Sequence, residues 1–252
     1  MISFLLSYLS LYSNVSAAEP VVHNLEYALS VADQKIGTRT VKTTYFIDDK
    51  NKQTSRRIIE VYTEMSGSVF GKDLVFKERS SIEYDGRDIK FVSTQSLNND
   101  PIEFQGRNKR DGSWMVYEIS NGVSKQNTYT GQDFYYTTLS MYDNKRAQQM
   151  QALGNMGMYI IEKGEVWSGI WKENGNKKVR IKKQKILGQQ YEFSYNNTKI
   201  EGVWSDNGEL LQFTISHNGI DLDGKLTEPP KVLEIGTIDN VGDFQGVQEE
   251  EL

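Results

Sequence analysis

Residues Thr198–His217 read TKIEGVWSDNGELLQFTISH. Side chains alternate faces along an extended chain, so Ile200, Gly202 and Trp204 share one side of the first arm. Asp206-Asn207-Gly208 supplies a turn in which Asn and Gly tolerate positive φ. Leu211, Phe213 and Ile215 then fall on one side of the returning arm, with Gln212 and Thr214 on the other. This is a β-hairpin with one apolar face. It needs a larger sheet or a covering layer to be stable.

The same grammar fills most of the chain. Glu26–Val31 and Ile36–Ile47 predict an opening hairpin around Ala32–Lys35, and the second arm, TRTVKTTYFI, is rich in β-branched residues. Strands are expected over Ser55–Met65, Leu74–Tyr84, Asp88–Leu97, Ile102–Arg107, Ser113–Ile119 and Ser124–Thr130, separated by turn pairs such as Asp85-Gly86, Asp111-Gly112 and Asn121-Gly122. Asn98–Pro101 is read as a break and Asp48–Gln53 as a polar connection. The middle departs from this rhythm. Asp133–Tyr142 concentrates aromatics without clean alternation, and Lys145–Leu153 is the best helix candidate, with Gly154 just past its end. Strands resume over Met158–Ile161, Glu165–Lys172, Val179–Leu187, Gln189–Tyr195 and, last, Ile220–Leu226, which Pro229-Pro230 terminates. The fold class is therefore all-β: a single large curved antiparallel sheet, a meander forming a half-open β-barrel over residues 19–228, with a short helical or irregular insertion at 133–160. Residues 229–252 read as a flexible acidic tail.

Met1–Ala18, MISFLLSYLSLYSNVSAA, resembles a secretory signal peptide: an apolar run over Ile2–Tyr12, then small residues before Glu19, although no Lys or Arg precedes the run. The alternative is an N-terminal membrane anchor, for which the run is short and serine-interrupted. No cysteine follows to carry a lipid. Export to a bacterial periplasm or medium is the expectation, with no transmembrane segment after cleavage.

Across its 252 residues the chain has no cysteine, which removes disulfides, thiolate nucleophiles and zinc–thiolate sites. A formal charge of −5 argues against a nucleic-acid partner.

EYALSVADQKIG near the start and EGVWSDNGELLQFTISHNGIDLDGKL near the end carry a family resemblance. They are similar to an uncharacterised family of secreted bacterial β proteins, a domain of unknown function. Its members open with a strand, a tight polar turn and an Ile-Gly pair, here Ile36-Gly37; they close with an apolar-Trp strand, an acidic-Gly turn and a hydrophobic strand, here Val203-Trp204, Asp206–Gly208 and Leu210–Ile215. The resemblance spans most of residues 25–226 and rests on turns and core positions; Lys145–Met158 departs from it. It implies a fold and no activity. In shape the family is similar to the half-open β-barrels of periplasmic lipoprotein carriers, which cradle acyl chains.

Catalytic constellations are sparse. Of the two histidines, His23 is read as part of an unstructured leader and His217 as the end of a strand. No Gly-x-Ser-x-Gly elbow or metal-ligand spacing is present. Glu192, Glu201 and Glu209 are read as solvated strand or turn positions rather than a glycosidase pair, and Asp221 and Asp223 lack the rest of a calcium loop. The chain is thus expected to be no enzyme and to hold no cofactor.

Two binding features remain. Trp114, Phe134, Tyr136, Met141, Tyr142, Met158, Trp204 and Phe213 either pack a core or line a concavity for a lipid or other hydrophobic molecule, beneath a methionine-bearing flap that includes Met150 and Met156. Lys177–Lys185, KKVRIKKQK, carries six cations. Lys178, Arg180, Lys182, Lys183 and Lys185 either face an anionic partner or guard a strand edge against sheet-to-sheet pairing. The leading expectation is an exported, non-enzymatic carrier of a hydrophobic ligand. The alternative is a structural or assembly protein of the cell envelope that binds a protein or glycan through sheet edges or the basic strand.

Overall fold

The computed structural model describes residues 19–48, 54–69, 71–86, 88–109, 111–131, 133–134, 136–152 and 155–231. The signal-like segment 1–18, Tyr135, Gly154 and the tail beyond Lys231 lie outside the described residues.

From the amino end the strands are β1 (Val21–Val31), β2 (Gln34–Ile47), β3 (Thr54–Val69), β4 (Lys72–Asp85), β5 (Asp88–Leu97), β6 (Asp100–Asn108), β7 (Trp114–Ser120) and β8 (Val123–Tyr129). A two-residue β9 (Tyr136–Thr137), a 3-10 turn (Thr138–Tyr142) and helix α1 (Asn144–Ala152) follow. The chain then continues through β10 (Asn155–Ile160), β11 (Glu165–Ile181), β12 (Gln184–Tyr195), β13 (Thr198–Trp204), β14 (Leu210–His217) and β15 (Ile220–Leu226).

All fifteen strands form one sheet, ordered β8 through β1, then β15 back down to β9. The chain starts in the middle of the sheet, walks to one edge, jumps to the other and returns. The last strand pairs the first, with Tyr27 opposite Leu226 and Val31 opposite Leu222. Neighbours are antiparallel except β9 and β10, where Met158 lies parallel to Tyr136. The sheet is not closed; β8 and β9 are its ends.

Turn chemistry explains the hairpins. Ala32 and Asp33 have φ of 48° and 62°, and Asn218-Gly219 has 51° and 79°, the paired left-handed conformation that matches strand twist. The expected break at Asn98–Pro101 is confined to Asn98-Asn99. Pro101 sits inside β6 opposite Ser96, beyond the point where β7 pairing begins at Ile102, so its missing N–H costs no ladder bond on that side. Two expectations are corrected. His23 belongs to β1 and is buried. Val179–Leu187 is not one strand: Lys182, at φ 52°, and Lys183 turn the chain between β11 and β12.

Inner-face glycines let the sheet curl. A Cβ on Gly106 would lie 2.1 Å from the Phe91 ring, one on Gly202 2.0 Å from Trp204, and one on Gly224 2.1 Å from Phe213. Each ring lies across the bare backbone of its glycine, which curves the sheet tightly. The far edge lies inside that curl. Tyr159 of β10 packs on Phe91 of β5 at 5.4 Å and on Phe134 at 5.3 Å, and Tyr129 at the end of β8 touches both Phe134 and Tyr159 at 5.4 and 6.0 Å. Phe134, residues 136–152 and residues 155–162 therefore pack into the concave face of the sheet. The core is built around them.

Candidate functional site: the seat of the internal segment

Strand register lays a polar row across the inner face of the sheet. Tyr27 of β1 pairs Arg39 of β2, Arg39 pairs Thr63 of β3, Thr63 pairs Glu78 of β4, and Glu78 pairs Gln95 of β5. All five are buried. The Arg39 guanidinium donates from Nε to Thr63 Oγ1 at 2.8 Å and from Nη2 to Glu78 Oε2 at 2.9 Å. Thr63 Oγ1 donates to Glu78 Oε2 at 2.8 Å, and Ser80 Oγ to Glu78 Oε1 at 2.7 Å. Ser80 and Ser93 are hydrogen-bonded at 2.7 Å, and Gln95 Nε2 donates to Ser93 Oγ at 3.0 Å.

Both ends of the internal segment dock on this row. Arg39 Nη1 donates to Tyr142 Oη at 2.8 Å, and Gln95 Nε2 donates to the Ile161 carbonyl at 3.1 Å. Glu162 Oε1 stands 3.8 Å from Arg39 Nη2, while its Oε2 accepts from Thr138 Oγ1 at 2.7 Å. Burial and the neighbouring Glu78 push the Glu162 carboxyl above its ordinary pKa, against the pull of Arg39. Burial likewise raises the Tyr142 phenol to about 12, so it stays protonated.

A second buried contact seats α1. Arg57 Nε of β3 lies 2.6 Å from Asp143 Oδ2, both almost fully buried. The contact is a charge pair outside hydrogen-bond alignment, and Arg57 Nη2 has no acceptor among the described residues. Asp143 also accepts from the Arg146 backbone N–H at 2.9 Å, which makes it the N-cap of α1. The Arg57 and Arg146 guanidinium groups lie 4.9 and 5.1 Å from the centre of the same Tyr84 ring. Trp204 Nε1 donates to the Met141 carbonyl at 3.2 Å.

The eight residues singled out as ligand-binding are all buried: Trp114, Phe134, Tyr136, Met141, Tyr142, Met158, Trp204 and Phe213. They belong to one core cluster. Trp114 packs on Phe134 at 4.9 Å, and Phe134 on Tyr159 at 5.3 Å. Tyr142 and Phe213 both pack on Tyr27, at 5.8 and 5.6 Å. Arg39, Glu78, Glu162, Arg57 and Asp143 were missed. Their signal lay in parity: Arg39 shares an inward face with Val41, and Glu78 with Ile82 and Tyr84.

The other candidates separate. Glu209 is buried, not solvated as expected; it accepts from Ser205 Oγ, and its charge partly offsets the burial that lowers the His23 pKa. Serine bonds the carboxylate directly, with no histidine between them, so a relay triad is not assembled. Glu192 and Glu201 share Lys199 on the surface. His217 accepts or donates to Thr198 at 2.7 Å. A shallow pocket of about 160 Å³ opens at the β4–β5 turn among Glu83, Asp85, Asp88, Lys90 and Arg107. Its Glu83 is already paired with Arg56 and Lys90 at 2.6 and 2.9 Å. The basic residues do come together: Lys178, Arg180, Lys182, Lys183 and Lys185 are exposed on the β11–β12 hairpin end.

The chain matches no protein-family model and no curated protein. Among solved structures its fold is similar to a β-barrel-like protein of domain of unknown function DUF1849 from Brucella abortus, with a TM-score of 0.57 at 14% identity over 84% of this chain and 98% of that one. The expected likeness to an uncharacterised, barrel-shaped bacterial domain is found, at the level of fold.

Proposed function

We propose that this chain is an exported, non-enzymatic binding protein that holds a lipid or other hydrophobic molecule in the curl of its sheet, with residues 133–162 as the stopper the ligand displaces. The observation that carries this reading is the contrast at the seat. The stopper covers an aromatic floor, yet it is registered by buried charges at Arg39 and Arg57. A buried ion pair contributes little net stability compared with apolar packing while specifying position closely. Such a seat holds one arrangement and releases it at modest cost. The apolar floor of Trp114, Phe91 and Phe213 would then meet acyl chains, and buried methionines at 141, 150, 156 and 158 would repack around them.

Native mass spectrometry of protein purified from its own host, together with binding of an apolar fluorescent dye, tests the reading. A co-purifying apolar mass is expected, and Arg39→Met should raise dye binding several-fold by loosening the stopper. Repeated recovery of empty protein, with no dye bound by either form, would sink it.

A second reading draws on β8. Among the described residues this terminal strand has an unpaired side, and Val123 at its start is 71% exposed. An envelope partner adding a strand there would make the chain an assembly protein. Pull-down from envelope extract with Val123→Lys separates the readings, because the carrier idea predicts no change.

A further inference from the structure

The β11–β12 ribbon is the electrostatic exception in an acidic protein. Residues 177–188, KKVRIKKQKILG, carry six cations and no carboxylate, in a chain of net charge −5. The ribbon also extends past its neighbours. β10 pairs β11 only as far as Ile170, and β13 pairs β12 only from Gln189 onward, so among the described residues the hairpin end has no strand partner beyond itself. Val179 and Ile181 are buried and fasten its inner side to the core. Its outer side presents Lys178, Arg180 and Lys185, with Lys182 and Lys183 at the turn.

Register makes this face unusual. Arg180 pairs Lys185 directly, two like charges opposed across the ladder, which is unfavourable without an anion to share. Lys178 pairs Leu187, and Leu187 is 46% exposed. Among the described residues, the acid paired with the ribbon is Glu228, exposed and bonded to Lys182. Four of the five exposed cations have no carboxylate partner among the described residues.

We infer that this ribbon docks on an anionic phospholipid bilayer. Lysine and arginine stems reach along the surface and place their charges at headgroup phosphates, and the opposed Arg180–Lys185 pair fits two neighbouring phosphates. Leu187 decides against a soluble polyanion: an apolar side chain among cations gains nothing from a sulfated glycan but can enter the boundary between headgroups and acyl chains. The inference stands apart from the carrier reading, since docking requires no ligand inside the sheet.

Flotation of the full chain with phosphatidylcholine vesicles, with and without phosphatidylglycerol, tests it. Binding is expected only to the anionic vesicles and should fall steeply with added salt. Each surface cation contributes roughly a fivefold gain in partition, so Arg180→Glu with Lys185→Glu should weaken binding by more than about tenfold. Lys125→Glu on β8 should leave it unchanged. Leu187→Ser should lower binding to anionic vesicles while leaving retention on dextran sulfate intact. Equal binding to both vesicle types, no loss in the double variant, or retention on dextran sulfate without vesicle binding would each overturn the proposal. Arg180→Gln with Lys185→Gln repeats the test without introducing acids.

Discussion

Arg39 is the residue on which most of the interior converges. One guanidinium joins β2 to β3 through Thr63, to β4 through Glu78, and to the internal segment through Tyr142, and it stands over the Phe213 ring at 5.6 Å. Glu162 is the weaker member of this group because burial and Glu78 oppose its charge. A carboxyl whose folded pKa is raised favours the fold in its protonated form. Its contribution is present below the ordinary glutamate value and is lost as pH rises through the raised one. Thermal melts should therefore show the wild type losing stability relative to Glu162→Gln as pH climbs from about 4.3 toward neutrality. Parallel curves would mean that Glu162 does not report on the seat. In sequence this charge was visible only as a parity anomaly, an arginine in step with Val41 and a glutamate in step with Ile82.

At the scale of elements, α1 depends on Asp143 for two things at once, its N-cap and its charge pair with Arg57. Arg57→Ala should cost about 3–5 kcal/mol in urea denaturation, because it strands a buried carboxylate. Arg57→Met with Asp143→Asn should recover most of that loss: no unpaired charge remains, and asparagine still caps the helix. If the double variant is as unstable as the single one, attraction between the charges holds the segment, and the easily released seat is wrong. The helix itself was legible at Lys145–Leu153 against the observed Asn144–Ala152, from its run of helix formers. The Lys182 turn was not. Lysine is no turn residue, and it adopts positive φ here because Val179 and Ile181 pair across to Ile186 and Gln184 and bury their inner side.

For the molecule as a whole, the centre of the sheet and the segment lying inside its curl are held differently. β1 and β15 lie at the centre of the ladder, paired on both sides, whereas β9 and β10 lie at its edge, and residues 138–152 meet the sheet through bonds such as Arg39 to Tyr142 and Trp204 to the Met141 carbonyl. Native-state amide exchange should then show Met141 through Met158 opening at lower free energy than the β1 and β15 amides, with Arg39→Met widening the gap. Exchange of both sets through one global opening would remove the basis for a stopper.

Taken alone, the sequence determined most of the strands, the apolar face of each, and that a helical interruption separates two β-rich halves, but not the boundary between β11 and β12 or the start of β1. Those properties depend on side-chain alternation and turn residues within a few positions of one another. Only the tertiary structure decided that β15 returns to β1, that the far edge lies inside the curl, and that Arg39, Thr63, Glu78 and Gln95 fall in one row. Each of these joins residues remote in the chain, and pairing between remote strands is selected by the apolar area that closure buries, a quantity no local window contains.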